Sequence, residues 1–175
     1  GENKTITHPA LKGEIIPVQA VFGAVGSDIA ILRIGKAEGG LKIAEDVLKS
    51  VKLGDKVVVV GNRLGGGVAT QTSGQVLGVG PTRIEVNANF EPGNSGSPIV
   101  SLVSNEVVGV ATYAETREVA VETGASSSPF GNRTPAAPKI EKRWFGYRLD
   151  GISKWEAIDM ARWRTQGERI DKFRE

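Results

Sequence analysis

Between residues 53 and 114 the chain is a series of short, β-branched-rich runs, each closed by a turn signal, and this pattern constrains the fold more than any other feature. Lys56–Val60, Thr70–Val79, Arg83–Asn87, Ile99–Val103 and Glu106–Tyr113 read as strands. Gly54-Asp55, Gly65-Gly66-Gly67, Gly80-Pro81, Pro92-Gly93 and Ser104-Asn105 separate them. Runs of this length, joined by Gly, Pro and Asn rather than by helical stretches, make antiparallel barrels or sandwiches and exclude a parallel α/β sheet. Composition agrees: 23 of 175 residues are glycine and aromatics are 6%, which fits a turn-rich β protein and not a helical bundle.

The flanks are read less uniformly. Residues 1–52 hold an extended piece from Ile15 to Val25, a turn at Gly26-Ser27 and an apolar run from Ile29 to Ile34. Residues 115–138 turn to Ser, Thr, Pro, Gly and Ala and are expected to form a mobile loop. The stretch after it carries all three tryptophans and 10 of the 22 basic side chains. Trp144 to Leu149 reads as a strand. Ser153-Lys154-Trp155-Glu156 fits a capping box with Ile152 as its staple, so a helix is expected from Ser153 to about Gln166, packed on the barrel through Trp155 and Ile158. The expected organisation is therefore a first unit over 1–52, a barrel over 53–152 and a terminal helix over 153–175.

Several function classes fall away. The chain has no cysteine and one histidine, His8, which removes thiolate nucleophiles, disulfide frameworks and Cys/His zinc sites. Gly61 to Gly67 is not followed by the Gly-Lys-Ser/Thr of a phosphate loop, so neither metal nor cofactor is expected. A net charge of +2 is too small to argue for nucleic acid, and no apolar run approaches the ~20 residues that cross a bilayer, so no membrane insertion is expected.

Gly93-Asn94-Ser95-Gly96-Ser97-Pro98 carries the most chemical information. A serine among small residues in a tight turn presents its hydroxyl outward. The backbone amides of Gly93 and Ser95 can then converge on one point, which is what a developing oxyanion requires. The segment is not the G-x-S-x-G elbow, since Ser97 stands at the fifth place and no helix follows. By itself it also fits a plain strand connection. Asp28, at the mouth of the apolar run Ile29–Ile34, can orient an imidazole or be an ordinary turn carboxylate.

Taken in order, these stretches resemble the trypsin-like serine peptidases, specifically their HtrA-type branch. Ser27-Asp28-Ile29-Ala30-Ile31-Leu32 resembles the branch's acid motif. Val51-Lys52-Leu53-Gly54-Asp55-Lys56-Val57 with Gly61-Asn62 resembles its next strand pair, and Thr72-Ser73-Gly74-Gln75-Val76 the strand after that. Gly93 to Pro98 is similar to its nucleophile loop, Val108-Gly109-Val110 to the following strand, and Phe145-Gly146-Tyr147-Arg148-Leu149 to the closing strand. The resemblance implies an all-β, antiparallel double β-barrel with a C-terminal helix. It implies a serine endopeptidase with Ser95 as nucleophile, Asp28 as the acid, and Gly93, Asn94 and Ser95 forming the oxyanion turn. It further implies Asn89 at the base of the specificity pocket, Thr112, Tyr113 and Ala114 along its wall, a small or aliphatic side chain beside the cut bond, extended polypeptide as substrate, and a location in the bacterial periplasm or cell envelope.

Ser97 stands where the branch usually has glycine, and Arg63 where it has proline. The larger departure concerns the general base. The family's histidine lies on first-barrel strands ahead of the stretch that Gly13-Glu14-Ile15 matches, and Thr5-Ile6-Thr7-His8-Pro9-Ala10 does not resemble its motif. The expectation is an incomplete first barrel without its base, inactive by itself, with free strand edges that invite pairing with a second copy. The alternative is a pseudopeptidase that binds extended peptides without cutting them.

Overall fold

The computed structural model describes residues 5–7, 15–35, 39–119, 139–162 and 165. Among the described residues the strands are β1 (Thr5–Thr7), β2 (Ile15–Ala24), β3 (Ala30–Ile34), β4 (Lys56–Gly61), β5 (Thr70–Val79), β6 (Arg83–Val86), β7 (Pro98–Ser101), β8 (Val107–Val119), β9 (Lys139–Tyr147) and β10 (Trp155–Ala157), and a short helix, α1, spans Val47–Ser50. Six strands close an antiparallel barrel in the order β4-β5-β6-β9-β8-β7, and β1, β2, β3 and β10 form an open sheet. The chain is therefore all-β, with one complete barrel and one open partner sheet.

Alternation explains the barrel. Val57 and Val59 on β4 are fully buried in the core, Val58 on the opposite face is buried outside that core while Lys56 and Val60 are exposed, and Ile84 and Val86 on β6 turn inward as Val57 and Val59 do. These side chains meet Val76, Ile99, Val108 and Ala111 in one core. Ala44, Val47 and Val51 join that core, so the barrel's packing begins before residue 52, where the sequence placed its boundary. Asp46 caps α1 through the Lys49 amide at 3.3 Å.

The stretch expected to loop from residue 115 is strand as far as Val119. Glu115–Val119 pairs in register with Lys139–Arg143, so β9 begins five residues before the expected Trp144. Residues 120–138 lie outside the described residues.

The expected helix at Ser153 is corrected. Trp155, Glu156 and Ala157 pair with Ala24, Gly23 and Phe22 of β2, and the flanking bonds Val25 N–H to Lys154 O (3.0 Å) and Ile158 N–H to Val21 O (2.9 Å) extend that pairing. Glu156 pairs with Lys154 at 2.6 Å instead of reaching back to the Ser153 amide. Helical backbone starts only at 160–162, about two turns later, with Asp159 Oδ1 accepting from Ala161 N–H (2.9 Å) and Arg162 N–H (3.1 Å). An edge of β2 offered main-chain hydrogen bonds that outweighed a local cap worth about 1 kcal/mol. Among the described residues no helix is long and apolar enough to cross a membrane.

One buried ion pair ties the end of β9 to α1. Arg148 and Asp150, 6% and 9% exposed, meet through two bonds of 3.0 and 2.6 Å, and Asp150 Oδ2 also accepts from the Val47 amide at 2.9 Å. Burial opposes the charge on Asp150, but the Arg148 guanidinium and the Val47 amide outweigh it and hold the carboxyl below its ordinary range. A carboxyl whose pKa is lowered by folding contributes stability that is complete above its unfolded pKa and lost as pH falls through the folded value. Urea midpoints are therefore expected to drop below about pH 4. Asp150→Asn should cost about 3–5 kcal/mol at pH 7, because Arg148 stays buried without its counter-charge, and should weaken that acid dependence.

Candidate active site

The Gly93–Pro98 turn that carries Ser95 is seated on β8 by a reciprocal pair of main-chain bonds. Gly96 N–H donates to Ala111 O and Ala111 N–H donates to Ser97 O, both at 2.8 Å. Immediately beyond, the β8–β9 register slips: Ala111 faces Gly146 and Tyr113 faces Phe145, which leaves Thr112 as an extra, unpaired residue. Such a bulge frees and re-aims a carbonyl. Thr112 O accepts the hydroxyl of Ser95 at 3.0 Å. Ser95 itself is exposed.

Within the turn, Asn94 N–H donates to Glu91 O at 3.0 Å, while among the described residues the amides of Gly93 and Ser95 donate no hydrogen bond. The two amides flanking Asn94 are thus without an acceptor among the described residues. Asn94, named with them from the sequence, has its amide occupied and its side chain fully buried. That side-chain amide has no hydrogen-bond partner among the described residues. Ser97, also buried, packs with Asn94 over the Cα of Gly61, where a Cβ would collide with its hydroxyl. That contact accommodates the departure at position 97.

Gly93 is required twice over. Its φ is +93°, and a Cβ there would stand 2.5 Å from Asn62 O and 2.9 Å from Gly65 N. The facing segment, a 3-10 turn at Arg63–Gly65, places Leu64 at φ +58°, a strained conformation for a bulky residue, with its amide held by Pro92 O at 2.8 Å.

Two cavities open at Ser95. The first, about 400 Å³, lies between sheet and barrel: Asp28, Ile29 and Ala30 line one side, and Ser95, Gly96 and Thr112 the other. Asp28 is exposed in the β2–β3 turn, which closes through Ala24 N–H to Ile29 O (3.0 Å) and Ile29 N–H to Ser27 O (2.9 Å). The second, about 350 Å³, is lined by Ser95, Thr112, Tyr113 and Ala114 and, on its far side, by Phe90, Glu91, Pro92 and Lys142. Asn89, expected at the base of the specificity pocket, is exposed and is not among the residues lining this cavity, whereas Phe90 is, its carbonyl accepting from Trp144 Nε1 at 3.0 Å. Tyr113 stacks on Phe145 with ring centroids 5.4 Å apart and bonds Arg83, and burial pushes its phenol up. Glu91 and Lys142 were missed from sequence. Glu91 stood in a turn with no pattern of its own, and Lys142 in a polar stretch whose strand character comes from pairing with β8. His8 lies outside the described residues.

The family model for the trypsin-like peptidase domain matches residues 2–110, which include both Asp28 and Ser95. The chain belongs to the trypsin-like peptidase domain family. Among solved structures it is similar to Rv3671c from M. tuberculosis H37Rv, a Ser-to-Ala mutant in its inactive form, at 19% identity over 78% of this chain with a TM-score of 0.50. It is also similar to the serine endoprotease from Yersinia pestis (23% identity over 78% of this chain, TM-score 0.48) and to the HtrA-type protease AlgW with decapeptide (20% over 79%, TM-score 0.49). The chain spans 61%, 42% and 38% of those three chains, and at these identities the likeness to the first bears on the fold alone. No curated protein sequence matches it.

Gly93→Ala is expected to destabilise the protein by about 1–3 kcal/mol through backbone strain and collision with the 62–65 turn. Gly96→Ala, at φ +87° with open space around it, should cost only the left-handed penalty of about 1 kcal/mol. Equal urea midpoints for the two variants would mean that Gly93 is not pressed against that turn.

Proposed function

We propose that this chain carries the nucleophile, the orienting acid and the oxyanion donors of a serine endopeptidase of the HtrA-type branch. The observation that carries the reading is the cavity of about 400 Å³ with Asp28 on one side and Ser95 on the other, beside two unoccupied amides. An imidazole seated there would accept the Ser95 proton, while Asp28 holds its tautomer and stabilises the imidazolium. Ser95 Oγ would attack the peptide carbonyl, and Gly93 and Ser95 N–H would receive the charge on its oxygen. The imidazolium would then protonate the leaving amine, and water would release the acyl group.

Substrate binding follows from the strand pattern. β8 pairs with β7 only as far as Val110 but runs on to Val119 paired with β9. The other edge of Thr112–Ala114 can therefore take an extended polypeptide by strand addition, its side chain entering the second cavity. The branch resemblance extends this reading to the bacterial periplasm or envelope. Among the described residues β3 pairs only with β2, and its exposed Ile31, Leu32 and Ile34 support association with a second copy, which sedimentation at rising concentration would detect.

A specific observation favours the second reading, a pseudopeptidase. The Ser95 hydroxyl donates to the Thr112 carbonyl, an acceptor too weak to act as a base.

Fluorophosphonate labelling read by intact mass separates the two. Ser95 in the 175-residue chain should label slowly, and added imidazole should accelerate labelling by about 10²-fold or more by filling the cavity as a general base. Ser95→Ala should give no adduct, and Asp28→Asn should lose most of the acceleration. Absence of any Ser95 adduct with imidazole, alongside binding of an extended peptide, would establish the pseudopeptidase. Rapid labelling without imidazole that is lost in His8→Ala would make His8 the base.

A further inference from the structure

The second cavity has a charged wall that neither Asn89 nor Ala114 explains. Glu91 projects from the turn ahead of Ser95 and Lys142 from β9, and both line the cavity. Their charged atoms are 4.0 Å apart, with side chains 30% and 40% exposed. At that distance the pair has Coulomb attraction but no hydrogen bond, so neither group is locked to the other. Lys142 is also steadied by the Trp144 ring, whose centroid is 5.5 Å from Nζ. Trp144 in turn donates to Phe90 O, which anchors the segment that carries Glu91. The two charges are thus held on a common support at the wall of the pocket.

We propose that the Glu91–Lys142 pair sets the side-chain preference of this pocket, selecting an uncharged side chain beside the cut bond by presenting two charges that cancel. The inference rests on the peptidase reading and moves the determinant from Asn89 to two residues 51 positions apart in the chain. An acidic guest would meet Lys142 but also Glu91, and a basic guest the reverse, so each gains little while giving up its hydration. An aliphatic guest loses no charge hydration and packs on Phe90 and the stem of Lys142. Removing one partner unmasks the other. Glu91→Gln converts the pocket to one that favours acids, and Lys142→Met to one that favours bases.

The test is the affinity of peptide boronates that differ only in the side chain beside boron: valine, aspartate or lysine. Boron adds to Ser95 Oγ, so Ser95→Ala is the control for specific capture. The wild-type chain should bind the valine boronate about tenfold or more tighter than the other two. Glu91→Gln should tighten the aspartate compound about tenfold, Lys142→Met should tighten the lysine compound similarly, and both gains should shrink in 1 M salt. The exchange E91K with K142E preserves neutrality and should keep the wild-type order, which guards against a misfolded single variant. Single variants that capture boronates through Ser95 in the wild-type order would overturn the inference and leave the peptidase reading standing. If no boronate binds the wild-type chain in a Ser95-dependent way, both fall.

Discussion

The two hydrogen bonds between Ala111 and the turn that carries Ser95 hold the candidate site together. They add the turn at Gly96-Ser97 to β8 as though it were one more ladder rung, immediately before the bulge that turns the Thr112 carbonyl toward Ser95. The seating residue Ala111 and the bulge residue Thr112 are consecutive on β8, and the turn that carries Ser95 is hydrogen-bonded to both, so the position of Ser95 follows from barrel closure and not from the conformation of a free loop. The same strand continues past its neighbour β7, which leaves an edge where an extended chain can pair. One barrel strand thereby supplies the platform of the Ser95 turn and the wall of the adjoining pocket.

The turn is also pressed from below. Asn94 and Ser97 are buried over Gly61 at the end of β4, and Gly93 abuts the Asn62–Gly65 segment. Close packing on both sides holds the Gly93 and Ser95 amides in place without occupying them, the preorganisation that electrostatic stabilisation of an oxyanion needs. Asp28 comes from a different unit. Asp28 rides on the β2–β3 turn of the open sheet, which β10 from the C-terminal stretch joins to the barrel's own chain. The cavity between Asp28 and Ser95 is a consequence of that packing of sheet against barrel.

Much of the fold was legible because burial on one face writes itself as alternation. Thr70–Val79 was read with the bounds it has in the structure, and β2, β3, β4 and β6 within one residue at each end. The failures share a cause. Lys139–Arg143 has no apolar periodicity and becomes strand only because Glu115–Val119 pairs with it, with Arg117 and Glu141 bonded across at 2.8 and 2.9 Å. Ser153 to Glu156 has a sound local helix signal, overridden by the free edge of β2. The displacement of Asn89 by Phe90, Glu91 and Lys142 in the pocket has the same origin, since lining is a property of which strands face one another.

The sequence alone determined the all-β class, the turn that bears Ser95, the need for glycine at position 93, and Asp28 at the head of its strand. These are local matters of side-chain alternation, backbone freedom and the placement of one polar group beside an apolar run. Only the tertiary structure decided that Asp28 and Ser95 share a cavity, that Thr112 is the residue left over in the ladder, and that Glu91 meets Lys142. Those facts depend on the register between strands distant in the chain, and register is set by the simultaneous packing of the whole barrel, which no short stretch of residues encodes.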